Sequence, residues 1–341
     1  MKLLSSSICA DLFNKLRLGL FTQGVIHSVF DTACNIQVNG DHNEELITLL
    51  HESRPMASNG IRISGDLSFL DLFQKHHIDA GDKVQISEQG LDFGRIDSDL
   101  VIDLTSAGHW DPKPKYPSET ITQTDLDWAI EKLKIFLRNS EQGYGIVGLL
   151  PRLVKRFPLL DGLMGEEVHE KPELAFIADR LANYIDTYVA LLKGKASDEK
   201  VEMLAQLGGK IIGFGQGLTP SMDDFLSGYM ATILYGARFN NLSIENIKEL
   251  NEATTETNGE KTTIVSAEML RYAAVGQVNE FLRNILVFMF YPEARAVHKN
   301  QEEAFEILLE QEKSIGASSG LDTLYGVLVG CCVCRILKEE I

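Results

Sequence analysis

The hydrophobic pattern of this chain changes once, and the change falls at a proline-rich stretch. Before Asp111-Pro112-Lys113-Pro114-Lys115-Tyr116-Pro117, apolar residues come in short runs broken by Gly, Asn and Asp. After it they recur with the 3.6-residue period of helices. The three prolines favour an extended connector. Strands first and helices afterwards exclude an alternating β/α chain. The fold class expected is therefore α+β: a β-rich N-terminal domain over residues 1–120, a small barrel or sandwich, followed by a mainly α-helical C-terminal domain over residues 121–341.

Strands are expected over 24–30, 34–38, 61–63, 83–87 and 100–104, where β-branched residues alternate or cluster between turn residues. Two short helices, 6–18 and 67–75, are expected among them. In the second half, helices are expected over 125–137, 172–192, 198–207, 225–238, 243–252, 262–274, 276–291, 292–311 and 318–340. These follow from apolar spacing with Ser or Thr starts and Gly or Pro stops.

Lys and Arg total 32 against 49 Asp and Glu, a net charge of −17. No basic face for nucleic acid follows from that balance. A small anion is still admissible, because local backbone dipoles can override global charge. The five cysteines form no CxxC pair, and Cys331, Cys332 and Cys334 point to different sides of one apolar helix. They read as buried reduced thiols of a cytoplasmic protein. Phe281–Tyr291 and Leu321–Leu337 read as buried helices too interrupted to span a membrane.

The most specific stretch is Gly213-Phe214-Gly215-Gln216-Gly217-Leu218-Thr219-Pro220-Ser221-Met222-Asp223-Asp224. Glycines permit positive φ and close approach of a ligand to the backbone. Thr219 suits an N-cap and Pro220 the first helical position. The N–H groups at such a helix start suit an anion. A dinucleotide fingerprint needs a βαβ setting and a Walker loop needs Gly-Lys-Ser/Thr, and neither is present. Gly213, Gly215, Gly217, Thr219 and Ser221 are thus candidates for holding a phosphate or carboxylate. Asp223 and Asp224 are candidates for holding a metal, anchoring the loop or acting as a base. Simple stabilisation of the helix dipole is the competing explanation for both acids.

Two further polar helix starts follow, Asn258–Thr263 and Ser314–Asp322. The three starts are expected to converge on one site, to which Ser318 and Ser319 contribute hydroxyls and Gly320 an N–H. Ordinary capping is the alternative for each start, and Asp322, three residues after Ser319, reads as a capping-box acid. Arg54, in a polar loop, is a candidate for pairing with carboxylate or phosphate. His27 reads as a packed strand residue.

The stretch Gly213–Gly228, together with Gly316-Ala317-Ser318-Ser319-Gly320-Leu321-Asp322-Thr323-Leu324-Tyr325-Gly326, resembles the signature blocks of a bacterial family. That family has been labelled as carboxylases, and it includes the AllH-type subunit associated with oxamate carbamoyltransferase in anaerobic allantoin degradation. The resemblance extends to the β-rich start, with its Gly24–Phe30 strand. Two departures are Met222 where a glycine is expected and Ala317 where a histidine is expected. The resemblance implies transfer of a carbamoyl group from carbamoyl phosphate to oxamate, giving oxalurate and phosphate. It implies catalytic parts for Asp223, Asp224, Ser318 and Ser319, with Asp223 or Asp224 orienting the nucleophile or binding Mg²⁺, and partner subunits of the same carbamoyltransferase. The alternatives are a non-catalytic anion-binding or assembly subunit, and a carboxylase-like enzyme, which lacks support from any biotin-type lysine motif.

Overall fold

In a computed structural model, residues 1–40, 44–94, 100–117, 119–140, 145–163, 174–194 and 197–340 are described. They divide into two compact units, Met1–Lys113 and Pro114–Ile341.

The first unit is a β-barrel. Its strands are β1 (Lys2–Cys9), β2 (Gln23–Val29), β3 (Ala33–Asn39), β4 (Glu44–Leu50), β5 (Gly60–Ile63), β6 (Lys83–Ser87), β7 (Gly90–Asp92), β8 (Val101–Asp103) and β9 (Gly108–Trp110). They are ordered β5-β4-β3-β2-β6-β7-β8-β1, and pairing of β1 with β5 closes the ring of eight; β9 lies beside β1 beyond β8. β6 shows why the ring forms: Val84 and Ile86 face inward while Lys83, Gln85 and Ser87 face water. The alternation is the two-residue period of a half-buried strand. Ile8, Ile36, Ile47, Ile61 and Ile102 belong to the same core. Two helices, α1 (Ala10–Arg17) and α2 (Phe69–Lys75), contribute Leu12, Leu16, Phe69 and Phe73 to it.

The barrel corrects two sequence expectations. The helix expected over 6–18 begins only at Ala10, because Lys2–Cys9 is β1. Its three serines hide the strand period, and Ser5 is held there by donating its hydroxyl to the Asp103 carbonyl at 2.8 Å. His27 is exposed on β2 rather than packed.

The second unit is helical: α3 (Gln123–Asn139), α4 (Leu150–Arg156), α5 (Ala175–Lys193), α6 (Asp198–Gly208), α7 (Ser221–Tyr235), α8 (Ile244–Glu256), α9 (Ile264–Ala274), α10 (Glu280–Phe290), α11 (Pro292–Ala296), α12 (Gln301–Lys313) and α13 (Ser319–Glu340). Thr122 caps α3, in a reciprocal capping box with Asp125. The single helix expected over 292–311 is two, α11 and α12, the second capped by Asn300. Residues 172 and 173 of the helix expected to begin at Pro172 lie outside the described residues.

At the centre, α7 is buried from Met222 to Tyr235 and lies along α13. Glycines set that closeness. A Cβ on Gly228 would collide with the Thr323 carbonyl, one on Gly326 with the Phe225 carbonyl, and one on Gly330 would stand 2.7 Å from Thr232 Cβ. Backbone therefore packs on backbone in both directions. By length and composition α13 is apolar enough to cross a membrane over Ser319–Glu339, where the sequence reading expected too many interruptions; it is buried as expected, with 83% of its most apolar 18 residues inside the protein. Its Cys331, Cys332 and Cys334 are free and buried, as are Cys9 and Cys34.

Candidate functional site

The glycine loop enters α7 differently from the expected capping arrangement. Pro220 occupies the cap position, with φ −56° and ψ 143°, and α7 starts at Ser221 without a side-chain cap. Thr219 therefore does not cap the helix. Its hydroxyl lies 3.0 Å from that of Ser319, the first residue of α13. The helical body also starts four residues before the expected Phe225.

Gly213, Gly215 and Gly217 have φ of +80°, +131° and +94°, a region L-residues with a side chain rarely adopt. A Cβ on Gly213 would strike the Lys261 carbonyl, and one on Gly215 the Ser221 nitrogen, whereas Gly217 faces open space. Close packing thus requires the first two glycines, and the turn alone requires the third.

Asp223 is the loop's anchor. It is fully buried, and its carboxylate accepts the Gly213 N–H at 2.7 Å, the Thr262 hydroxyl at 2.5 Å and the Ser266 hydroxyl at 2.6 Å. Burial pushes this carboxyl up, and those hydrogen bonds pull it back. Thr263 caps α9 and donates its hydroxyl to the Leu218 carbonyl. The start of α9 is thereby tied to both ends of the loop.

Asp224 has a different environment. It is 3% exposed, and its Oδ2 has no hydrogen-bond partner among the described residues. Burial pushes its carboxyl far above the usual carboxylate range; the hydroxyls of Ser319 and Thr219 oppose the shift, while Asp322 and Asp223 add to it. Desolvation without an opposing cation favours the neutral acid.

Asp322 completes the group, and its expected capping-box role is corrected. Its carboxylate accepts the Ile146 N–H at 2.7 Å, at the start of a 3-10 turn over Gly145–Leu149. Burial pushes it up to about 6, against the pull of Ile146, Ser221 and Ser318. A carboxyl in an apolar, buried helix needs such partners. That is the signal available in the sequence, and the capping pattern obscures it. Gly145 and Ile146 carry no comparable signal.

The three polar helix starts do meet, through Thr219–Ser319 and through Asp223 with Thr262 and Ser266. Ser221, Ser318 and Ser319 are half-buried among them. The N–H groups of residues 215–219 donate to no group among the described residues, and residues 215–218 are exposed. Two expected backbone donors are already taken. The Gly213 N–H serves Asp223, and the Gly320 N–H serves the Ile315 carbonyl. A Cβ on Gly320 would also strike the Glu312 carbonyl, so that glycine answers to packing on the end of α12. Arg54 belongs to the barrel unit, in the turn after β4, where its N–H donates to the His51 carbonyl at 3.0 Å.

Met222 is buried in the helical core, and Ala317 is exposed beside the start of α13. Both Asp223 oxygens are filled by protein donors. Among the described residues no group of three His, Cys, Asp or Glu side chains is arranged to hold a metal ion. The donor set does not fit the Mg²⁺ considered from the sequence.

Residues 211–331 match a family model described as oxamate carbamoyltransferase subunit AllH. Residues 4–109 match the AllH family N-terminal domain. The first match spans the loop and the starts of α7, α9 and α13; the second spans the barrel. No solved structure matches the chain.

Proposed function

The chain belongs to the AllH family of oxamate carbamoyltransferase subunits, and from that premise we propose that it binds the small anionic substrates of carbamoyl transfer and helps perform it within a hetero-oligomer. The proposed reaction is attack of the oxamate amide nitrogen on the carbonyl carbon of carbamoyl phosphate. A C–N bond forms, the C–O bond to phosphate breaks, and the amide nitrogen loses one proton. The products are oxalurate and phosphate.

The observation that carries this reading is the set of unengaged loop N–H groups at residues 215–219 beside a buried Asp224. Backbone donors at a helix start suit phosphate oxygens. Asp224, kept neutral by burial, is placed in this reading as a hydrogen-bond donor to the carbonyl oxygen that becomes negative. Asp322, pushed up to about 6, is mostly ionised at neutral pH and is placed as acceptor of the amide proton. Two carboxyls whose environments separate their proton affinities suit an acid and a base. Asp223, fully engaged, positions the loop and touches no substrate. The cluster holds carboxylates and hydroxyls, so the remaining positive charge for a dianionic phosphate is assigned to a partner subunit. The proposed setting is the cytoplasm.

The test mixes the purified chain, alone and with its partner subunits, with carbamoyl phosphate and oxamate, and follows phosphate release. Release is expected in the full mixture, reduced at least about tenfold by Asp224→Asn with the fold intact. The absence of phosphate release in every mixture would refute the proposal.

A further inference from the structure

A second group of buried polar atoms lies at the other end of α7. That helix rises about 1.5 Å per residue, so Tyr235 lies about 21 Å from Ser221 along it. Three elements meet there. Gly276 brings the turn before α10 against Pro114 and Leu234, since its Cβ would stand 3.1 Å from Pro114 Cγ and 3.4 Å from Leu234 Cδ2. Gly236 brings the end of α7 against Phe290, 3.1 Å from where its Cβ would be. The residues adjoining these contacts are Tyr116, Tyr235, Gln277 and Tyr291, with Arg283 on α10.

Their polar atoms are unsatisfied. The hydroxyls of Tyr116, Tyr235 and Tyr291, the Arg283 Nε and the Gln277 Oε1 are buried, and no hydrogen bond of ordinary length and angle joins them to any described group. Tyr235 and Tyr291 are 2% and 6% exposed, their rings stacked with centroids 5.8 Å apart. Arg283 forms no ion pair with a described carboxylate; its guanidinium lies within hydrogen-bonding reach of the Tyr235 hydroxyl, though not in a bond of ordinary geometry, and its charge also acts on Tyr291. Acids face the group only at its margin: Glu245 acts on Tyr116 and Glu293 on Tyr291, each less than the neighbouring tyrosines do, and Arg238 opposes Glu245.

Buried polar groups are normally paired, because leaving one unmade costs about 1–3 kcal/mol. Here the unpaired set includes three hydroxyls and a guanidinium N–H that can all donate. In a chain of net charge −17, carboxylate partners are abundant, yet none among the described residues pairs with this arginine. A planar guanidinium flanked by hydroxyl donors matches the oxygens of a carboxylate or phosphate. We propose that Tyr116, Tyr235, Tyr291, Gln277 and Arg283 form a second binding site, distinct from the glycine loop, that takes one small oxyanion.

The experiment is calorimetric titration of the full chain with inorganic phosphate and, separately, with acetate, alongside the tyrosine ultraviolet difference spectrum. Binding of either anion with a tyrosine spectral change is expected, and the arm that responds identifies phosphate or carboxylate as the group recognised. Arg283→Met should weaken the binding that the tyrosine spectrum reports at least about tenfold, Arg283→Lys should restore part of it, and Asp224→Asn should leave that spectral change in place, whatever heat the glycine loop contributes with phosphate. Circular dichroism separates loss of the site from loss of the fold. Three results would overturn the proposal: no spectral change with either anion; an equal spectral change in Arg283→Met; or loss of that change in Asp224→Asn alone, which would place the anion at the glycine loop. None of these outcomes depends on carbamoyl transfer occurring.

Discussion

The Asp223 carboxylate accepts the Gly213 N–H at 2.7 Å, so the residue that opens the glycine loop is held by the helix that the loop leads into. The same carboxylate takes the hydroxyls of Thr262 and Ser266. Asp223→Ala removes the acceptor for three donors in one step. Unpaired buried donors cost about 1–3 kcal/mol each, partly relieved by hydration, so a loss of about 2–5 kcal/mol is expected in urea unfolding. Hydrogen exchange at Gly213 should speed up in parallel. Unchanged protection at Gly213 would show that the loop keeps its shape without this anchor.

The three loop glycines should not be equivalent. Gly213→Ala and Gly215→Ala force a methyl group onto backbone atoms as well as into a strained φ. Gly217→Ala faces open space and carries only the conformational penalty, about 1–2 kcal/mol. Thermal unfolding should therefore rank Gly217→Ala as the mildest of the three. Equal losses would mean that strain, not packing, sets all three positions.

Asp322 predicts a pH dependence of stability with a definite sign. Its folded-state pKa, about 6, exceeds the ordinary 3.8. Below about pH 3.8 both states hold the proton, and the contribution is complete. As pH rises, the unfolded chain releases its proton first, and stability is lost until the folded group titrates near 6. The gap corresponds to about 3 kcal/mol. Asp322→Asn keeps an acceptor for the Ile146 N–H and removes the titration. The stability of the native chain relative to this variant should therefore fall by about 2 kcal/mol from about pH 4 to about pH 7 in denaturant titrations, the rest of the gap lying below pH 4. A difference independent of pH would place the Asp322 carboxyl in water.

Much of this arrangement is legible in the sequence, where a local rule and a tertiary need coincide. β6 and the Ser243-capped α8 combine a clear period or a clear cap with burial on one side. The convergence of three helix starts can be inferred because each start is rich in small hydroxyls. β1 is obscured because its serines pair with barrel strands distant in sequence, which no local pattern announces. Thr219 misleads for a related reason. As a cap it would satisfy a local rule, but its hydroxyl partner, Ser319, lies 100 residues away. Asp322 does likewise: a capping spacing is visible along the chain, whereas its bond to Ile146 spans 176 residues. The far tyrosine group gives no sequence signal, since its members come from separate segments.

The close packing of α7 on α13 fixes a phase relation. Asp322 and Gly326 lie four residues apart on α13, one reaching toward Ile146 and the other admitting the α7 backbone. A helix turns through about 100° per residue. Inserting or deleting one residue between them would therefore swing either the acid away from its turn or the glycine away from α7. The interval between Asp322 and Gly326 behaves as a measured length, on which substitutions are admissible and a change of count is not.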